Sequence, residues 1–186
     1  MIIVGIDYSL TSPCVCVFDS NEEFRFSKCK FYYLTDNKKH YVDFDNIWGD
    51  LHSSYNCPEQ RYKNITEWAI HKIPEGAKVY IEGYSMGSTG MVFNIAENLG
   101  LLKHYLYKWN YDYNIVPPTV IKKFATGKGN ANKQLLQDVF EENTGYYIKK
   151  KLGLTDKQWN PSSDIIDSYF ICKYGFEQEI KNVYMD

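Results

Sequence analysis

The chain has 186 residues, with 21 Lys and Arg against 23 Asp and Glu, for a formal charge of −2 at neutral pH. That length predicts one domain spanning 1–186 with room for a full layered core, and the hydrophobic fraction of 44 % excludes disorder. No apolar run approaches the roughly 18 residues that cross a bilayer, and the mild acidity argues against a basic coat over the whole surface. The start, Met1–Asp7, lacks the basic region of a signal peptide. Cys14, Cys16, Cys29, Cys57 and Cys172 are odd in number and include no C-x-x-C pair, which predicts reduced thiols in a cytoplasmic setting.

In chain order, Ile2–Ile6 is a continuous apolar run, the pattern of a strand buried on both faces. Val15 and Val17 alternate with Cys14 and Cys16 as a second strand, and the alternation over Phe24–Leu34 predicts a third. Short turns between them suggest an antiparallel meander. Asp36–Pro58 is polar, aromatic and aperiodic, and reads as a loop insertion. Glu59–Ile73 carries Ile65, Trp68, Ala69 and Ile73 on one helical face and stops at Pro74-Glu75-Gly76. Lys78–Glu82 is a fourth strand, Gly83–Gly90 a Gly/Ser-rich loop, and Met91–Trp109 the longest helix, with Val92, Ile95, Ala96, Leu99, Leu102, Leu106 and Trp109 as its stripe. Asn114–Val116 forms a fifth strand. Helices are expected near Thr119–Phe124 and Ala131–Glu142, and a last one starts at Ser162-Ser163, which can cap it. The order β-β-β-α-β-α-β-α predicts an α/β fold: a five-stranded mixed sheet, meander plus parallel strands, with helices on both faces.

Four carboxylates stand out. Asp7 directly follows a buried strand, so it lies at the C-terminal edge where open α/β sheets place ligands, although a turn Asp satisfied by Ser9 or Thr11 amides would look the same. Glu82 ends Val79-Tyr80-Ile81, and parallel pairing would set it beside Asp7. Asp164 and Asp167 stand i, i+3 at the start of the last helix and share a face. One Asp in a first turn compensates the helix dipole; the second, among Ile165, Ile166, Tyr169 and Phe170, needs another reason. Two crowded carboxylates repel unless a cation or proton separates them. Hard oxygen ligands without His or Cys suit Mg²⁺ or Mn²⁺. A pair of such ions about 3.5–4 Å apart can clamp both oxygens of a phosphodiester displacement.

The segment Pro118–Lys133 adds Gly127 and Gly129, which allow close backbone approach to a phosphate, with Lys122, Lys123, Lys128 and Lys133 around them. Its Gly and Lys spacing is wrong for a Walker loop. A solvated surface loop is the plainer reading. The stretch Pro117–Lys157 carries +4 and the remainder −6, so one face can be basic in an acidic chain. Lys149-Lys150-Lys151 reads either as a solvated face or as a DNA-backbone contact. The histidines are scattered.

Taken together, Gly5-Ile6-Asp7-x-Ser9-Leu10-Thr11, Ile81-Glu82-Gly83, Lys122…Gly127-x-Gly129-x-Ala131-x-Lys133 and Asp164-x-x-Asp167 resemble the RuvC family of Holliday junction resolvases, in the RNase H-like (retroviral integrase) superfamily. The motifs spread over Ile2–Tyr174, and the wealth of Tyr, Asn and Lys is similar to the phage-encoded branch. The resemblance implies an RNase H-like nuclease and a homodimer that nicks four-way or branched DNA. Asp7, Glu82, Asp164 and Asp167 would be its catalytic residues and the ligands of two Mg²⁺ ions, with Mn²⁺ able to substitute. No organic cofactor and no membrane partner are implied. Lys122 and Lys133 match positions that contact phosphates near the cut, with Lys123, Lys128 and Tyr84 completing the expected DNA-binding set. The helix Met91–Trp109 would join the dimer interface, although a plain core helix explains its apolar load equally well. Three features depart from the family pattern. Tyr84 and Met86 stand only near the place of its wedging aromatic, Ile165, Ile166 and Ser168 replace small alanines, and Asp36–Pro58 and Tyr146–Pro161 are longer than usual. Two other functions share many of these residues: a nuclease of the same fold acting on RNA–DNA hybrid or structured RNA, and a non-catalytic module that binds branched DNA.

Overall fold

The computed structural model describes residues 1–84 and 91–183, so Ser85–Gly90 of the Gly/Ser-rich loop, Met86 included, lie outside the described residues. Its strands are β1 (Ile2–Asp7), β2 (Cys14–Asp19), β3 (Lys30–Thr35), β4 (Asp43–Phe44), β5 (Ile47–Leu51), β6 (Lys78–Glu82) and β7 (Asp112–Val116). Its helices are α1 (Pro58–Lys72), α2 (Val92–Lys108), α3 (Pro118–Thr126), α4 (Lys133–Thr144), α5 (Ile148–Lys151) and α6 (Ser162–Val183).

One mixed sheet runs in the order β4-β5-β3-β2-β1-β6-β7. Strands β1, β2 and β3 pair antiparallel, as the short turns predict, while β6 and β7 join β1 in parallel. Among the described residues the sheet has seven strands rather than five. Both extra strands lie within 36–58, where the sequence predicts a loop. Strand β5 pairs parallel with β3 (Phe31↔Ile47 through Thr35↔Leu51), and β4 adds a two-residue antiparallel edge. The reason for the mismatch is composition: β5 reads Ile-Trp-Gly-Asp-Leu, and only Ile47 and Gly49 are buried. Five residues with one large buried aliphatic carry too little periodicity to register.

The predicted third strand begins late. Phe26–Lys28 is a 3-10 turn and β3 starts only at Lys30, opposite Val17. The alternation of Phe24 and Phe26 records core packing instead of pairing. Phe24 lies 4.6 Å from Phe18, ring to ring, and Phe26 meets Phe140 edge-on at 5.5 Å.

Alternate strand residues feed two cores, so helices cover both faces. Val4, Ile6, Val15, Val17, Val79 and Ile81 pack with Ile65 and Ala69 of α1 and Leu99, Leu102 and Leu106 of α2. Ile3, Cys14, Cys16, Phe31 and Tyr80 pack with Ile121, Phe140, Ile165 and Phe170 from α3, α4 and α6. Of the apolar stripe predicted along α2, only Leu99, Leu102 and Leu106 are buried, joined by Asn98; Phe93 and Tyr107 are largely exposed. All five cysteines are free thiols, and only Cys57 is exposed. No helix among the described residues is long and apolar enough to cross a membrane.

A single close approach fixes the depth of α6. A Cβ on Gly5 would stand 2.3 Å from the Cys172 nitrogen and 2.6 Å from the Ser168 carbonyl oxygen, distances no side chain tolerates. Glycine in the middle of β1 therefore lets α6 lie directly on the strand that ends at Asp7.

Candidate active site

Parallel pairing of β1 and β6 aligns Ile6 with Ile81, so the next residue of each strand, Asp7 and Glu82, leaves the same edge of the sheet side by side. Seated on Gly5, α6 brings its first turns to that edge with Asp164 and Asp167 one above the other. The helix begins at Ser162 itself, so Ser162 and Ser163 belong to its first turn instead of preceding it as caps.

The four carboxylates act on one another. Asp7 and Asp164 crowd each other, which disfavours ionising both at once. Burial holds Asp7 far above the ordinary carboxylate range, and the negative charges of Asp164, Asp167 and Glu82 push it further. Asp167 is raised well up by burial and then by Glu82 and Asp164. Burial also lifts Glu82, to about 7, against the pull of Lys122. Asp164 is raised by burial too, although the Ser12 hydroxyl and the charge of Lys133 favour its ionised form. Asp7 and Glu82 keep a partial opening to solvent, yet the surrounding atoms strip both carboxyls of water.

Among the described residues no basic nitrogen comes within 4.0 Å of any of the four. The donor set is hard oxygen throughout, which suits Mg²⁺ or Mn²⁺. As the side chains stand, no three among the described residues close around a common point for an ion.

Asp7 and Glu82 line a cleft of about 420 Å³ together with Leu10, Tyr84, Ile95 and Lys122. Asp167 faces a smaller recess shared with Lys133, Trp159 and Ser163. The lysines thus divide. Lys122 bears on Glu82 and Asp167 and Lys133 on Asp164 and Asp167, whereas Lys123 and Lys128 line neither opening. Gly127, in the left-handed region at φ +77°, caps α3, and Asn132 caps α4 by accepting from the Leu135 amide at 2.9 Å. Tyr84 is 42 % exposed on the cleft wall. The lysine run of α5 is partly engaged: Lys149 sits 3.9 Å above the Trp159 ring and Lys151 pairs with Asp45 at 3.3 Å. Asp45 also accepts from the Tyr146 hydroxyl, so the two segments that run longer than the family pattern hold each other.

Sequence reasoning does not reach Ser12, which donates to Asp164, or Asn160, which donates to Ser12 from 148 residues away. Asn160 directly before Pro161, ahead of the last helix, is the only local hint.

A central antiparallel meander flanked by parallel strands, with one helix laid on β1 and acids gathered at the strand ends, defines the fold class. Among solved structures, the chain is similar to Thermus thermophilus RuvC, with a TM-score of 0.58 and 16 % identity over 97 % of each chain. Thermus thermophilus RuvC in complex with a Holliday junction substrate gives a TM-score of 0.56 and 14 % identity, over 97 % of this chain and 96 % of that one. The chain therefore has a RuvC-like fold. No protein-family model and no curated protein sequence matches it.

Proposed function

We propose that the protein is a divalent-metal-dependent, structure-specific DNA endonuclease of the RNase H-like superfamily that acts on four-way or branched junctions, its whole length serving as one nuclease domain. The observation that carries this reading is the gathering of Asp7, Glu82, Asp164 and Asp167 from three elements with no basic nitrogen inside 4.0 Å among the described residues. Buried like charges cost stability, so such a cluster is kept for a cation. These four residues would hold two Mg²⁺ ions, which supply Lewis-acid stabilisation of the charge that grows on the phosphoryl oxygens during in-line displacement.

The chain's own contribution is orientation. Lys122 beside Glu82 and Lys133 beside Asp164 and Asp167 bracket the carboxylates, so a strand whose phosphates engage both lysines lies across them. Such contacts are blind to sequence, and Lys123 and Lys128 would extend them along the backbone. Tyr84 on the cleft wall offers a stacking face to an unpaired base. Junction cleavage needs two sites, and we assign pairing of two copies to α2, where Phe93 is 78 % and Tyr107 79 % exposed. The RuvC likeness, one member of which was solved with a Holliday junction substrate, supports branched DNA as the substrate class, and the sequence character supports a phage-type origin.

The test is to incubate labelled four-way junction, flap, duplex and RNA–DNA hybrid with the protein in Mg²⁺ and in EDTA. Symmetric junction nicks that require Mg²⁺ and vanish in Asp7→Asn support the proposal. Cutting confined to the hybrid would replace it with a hybrid nuclease, and junction binding without any cleavage would replace it with a binding module.

A further inference from the structure

Beside the carboxylate cluster runs a chain of hydrogen bonds through Ser12 and Asn160, two residues that the proposed chemistry does not use. The Ser12 hydroxyl, 2 % exposed, donates to Asp164 Oδ2 at 2.6 Å. Asn160 Nδ2 donates to Ser12 Oγ at 2.8 Å. At its other end, Asn160 Oδ1 accepts from Lys133 Nζ at 3.4 Å and from Ser163 Oγ at 3.3 Å. Lys133 Nζ also donates to Ser163 Oγ at 3.2 Å.

The polarity of this chain follows from chemistry. A lysine ammonium can only donate, so the Asn160 atom facing it must be the carbonyl oxygen. The amide nitrogen is then turned toward Ser12 and must donate to its oxygen. With a lone pair so engaged, the hydroxyl directs its one proton to the remaining acceptor, Asp164. Each bond polarises the next, from a cation at the solvent-exposed end to a carboxylate that is 5 % exposed at the other. The backbone fixes Ser12 as well, since its amide donates to Ser9 Oγ at 3.1 Å in the turn that follows β1. A hydroxyl held from two sides can hold a carboxylate in one rotamer, whereas a free one cannot.

We propose that Ser12 and Asn160 are positioning residues that hold the Asp164 carboxylate oriented for a divalent cation, with Lys133 setting the direction of the hydrogen bonds. The inference rests on the reading of Asp164 as a metal ligand. It goes beyond that reading by assigning two residues outside the acidic motifs to metal affinity. Ligand carboxylates are usually held by such outer partners, whose loss costs about 10–100-fold in metal affinity.

The experiment is calorimetric titration of Mn²⁺ into the full chain as wild type, Ser12→Ala, Ser12→Thr and Asn160→Ala, with melting curves in EDTA and junction cleavage measured alongside. The expected result is an Mn²⁺ affinity lower by about 10-fold or more in Ser12→Ala and Asn160→Ala, and within about threefold of wild type in Ser12→Thr, which keeps the donor. A merely structural role would lower the melting temperature and leave Mn²⁺ affinity within twofold, and that outcome overturns the proposal. If wild type cuts junctions while the variants bind Mn²⁺ normally, the positioning role fails and the nuclease reading stands. If the variants lose Mn²⁺ affinity while wild type cuts nothing, the nuclease reading fails and the positioning role stands. A wild-type protein that takes up no Mn²⁺ overturns both.

Discussion

The two ends of α6 bury carboxylates in opposite ways. Near its C-terminus Glu179, 7 % exposed, accepts from the Tyr80 hydroxyl at 2.6 Å and pairs with Lys78 at 3.1 Å, and Lys78 reaches Asp112 as well. Near its N-terminus Asp164 and Asp167 meet a serine hydroxyl, two more carboxylates and distant lysines. One helix on one sheet face thus shows how this chain satisfies a buried acid when only stability is at stake. The contrast supports the proposal that the N-terminal arrangement serves a cation, because the same packing offers a paired solution a few turns away.

The strongest way to break this comparison is to remove one acid from the cluster around each end of α6, Asp7 of β1 at the first and Glu179 at the second. Asp7→Asn should lower junction cleavage by at least about 100-fold, the cost of losing one group that acts on transition-state charge. In EDTA at pH 8 the same change should raise the melting temperature by about 2–4 °C, the shift that about 1 kcal/mol gives a chain of this size. Glu179→Ala should do the reverse. It leaves the Tyr80 hydroxyl buried without its acceptor and should cost about 1–3 kcal/mol by chemical denaturation, while Mn²⁺ affinity stays that of wild type. Equal destabilisation by both substitutions would erase the distinction between the two ends.

A pH series sharpens it further. The acids at the N-terminal end have native pKa values raised above their unfolded ones. The stability they contribute is complete below about pH 4, near the unfolded pKa values, and is lost as pH rises through the native values, about 7 for Glu82. The melting temperature in EDTA should therefore fall as pH climbs through neutrality. At pH 8, millimolar Mg²⁺ should restore it, since a ligand bound only by the native state adds RT ln(1 + [L]/Kd). No Mg²⁺ effect at pH 8 would count against the acids forming a cation site.

Smaller effects belong to the rim. Lys122→Ala and Lys133→Ala should each weaken junction binding uniformly across sequences and reduce the slope of log affinity against log salt by about one. Lys123→Ala and Lys128→Ala, whose side chains line neither opening, should change that slope less. Phe93→Ser with Tyr107→Ser should convert a dimer to monomer by sedimentation while moving fold stability by no more than about 0.5 kcal/mol, because both side chains are exposed.

Much of the site is legible in the sequence for a local reason. A doubly buried strand is a continuous apolar run, and the first carboxylate after it marks the strand's end, which places both Asp7 and Glu82. The i, i+3 spacing puts Asp164 and Asp167 on one face whatever they pack against. Segment 36–58 reads as a loop because β5 draws its place from pairing with β3, which leaves no period in five mixed residues. The alternation at Phe24 and Phe26 imitates a strand because aromatic residues returning to a core generate the same period.

By itself, then, the sequence determined the three-strand meander, the parallel joining of β6 and β7 to β1, and where the four acids stand in their own segments, since these follow from periodicity within single segments. The packing of distant segments decided the rest. Only the seating of α6 on Gly5 brings Asp164 to Asp7, only the placement of α3 and α4 separates Lys122 and Lys133 from Lys123 and Lys128, and only the folded chain sets Ser12 against Asn160. A hydrogen bond depends on distances of a few tenths of an ångström between residues far apart in sequence. Local spacing does not encode such distances.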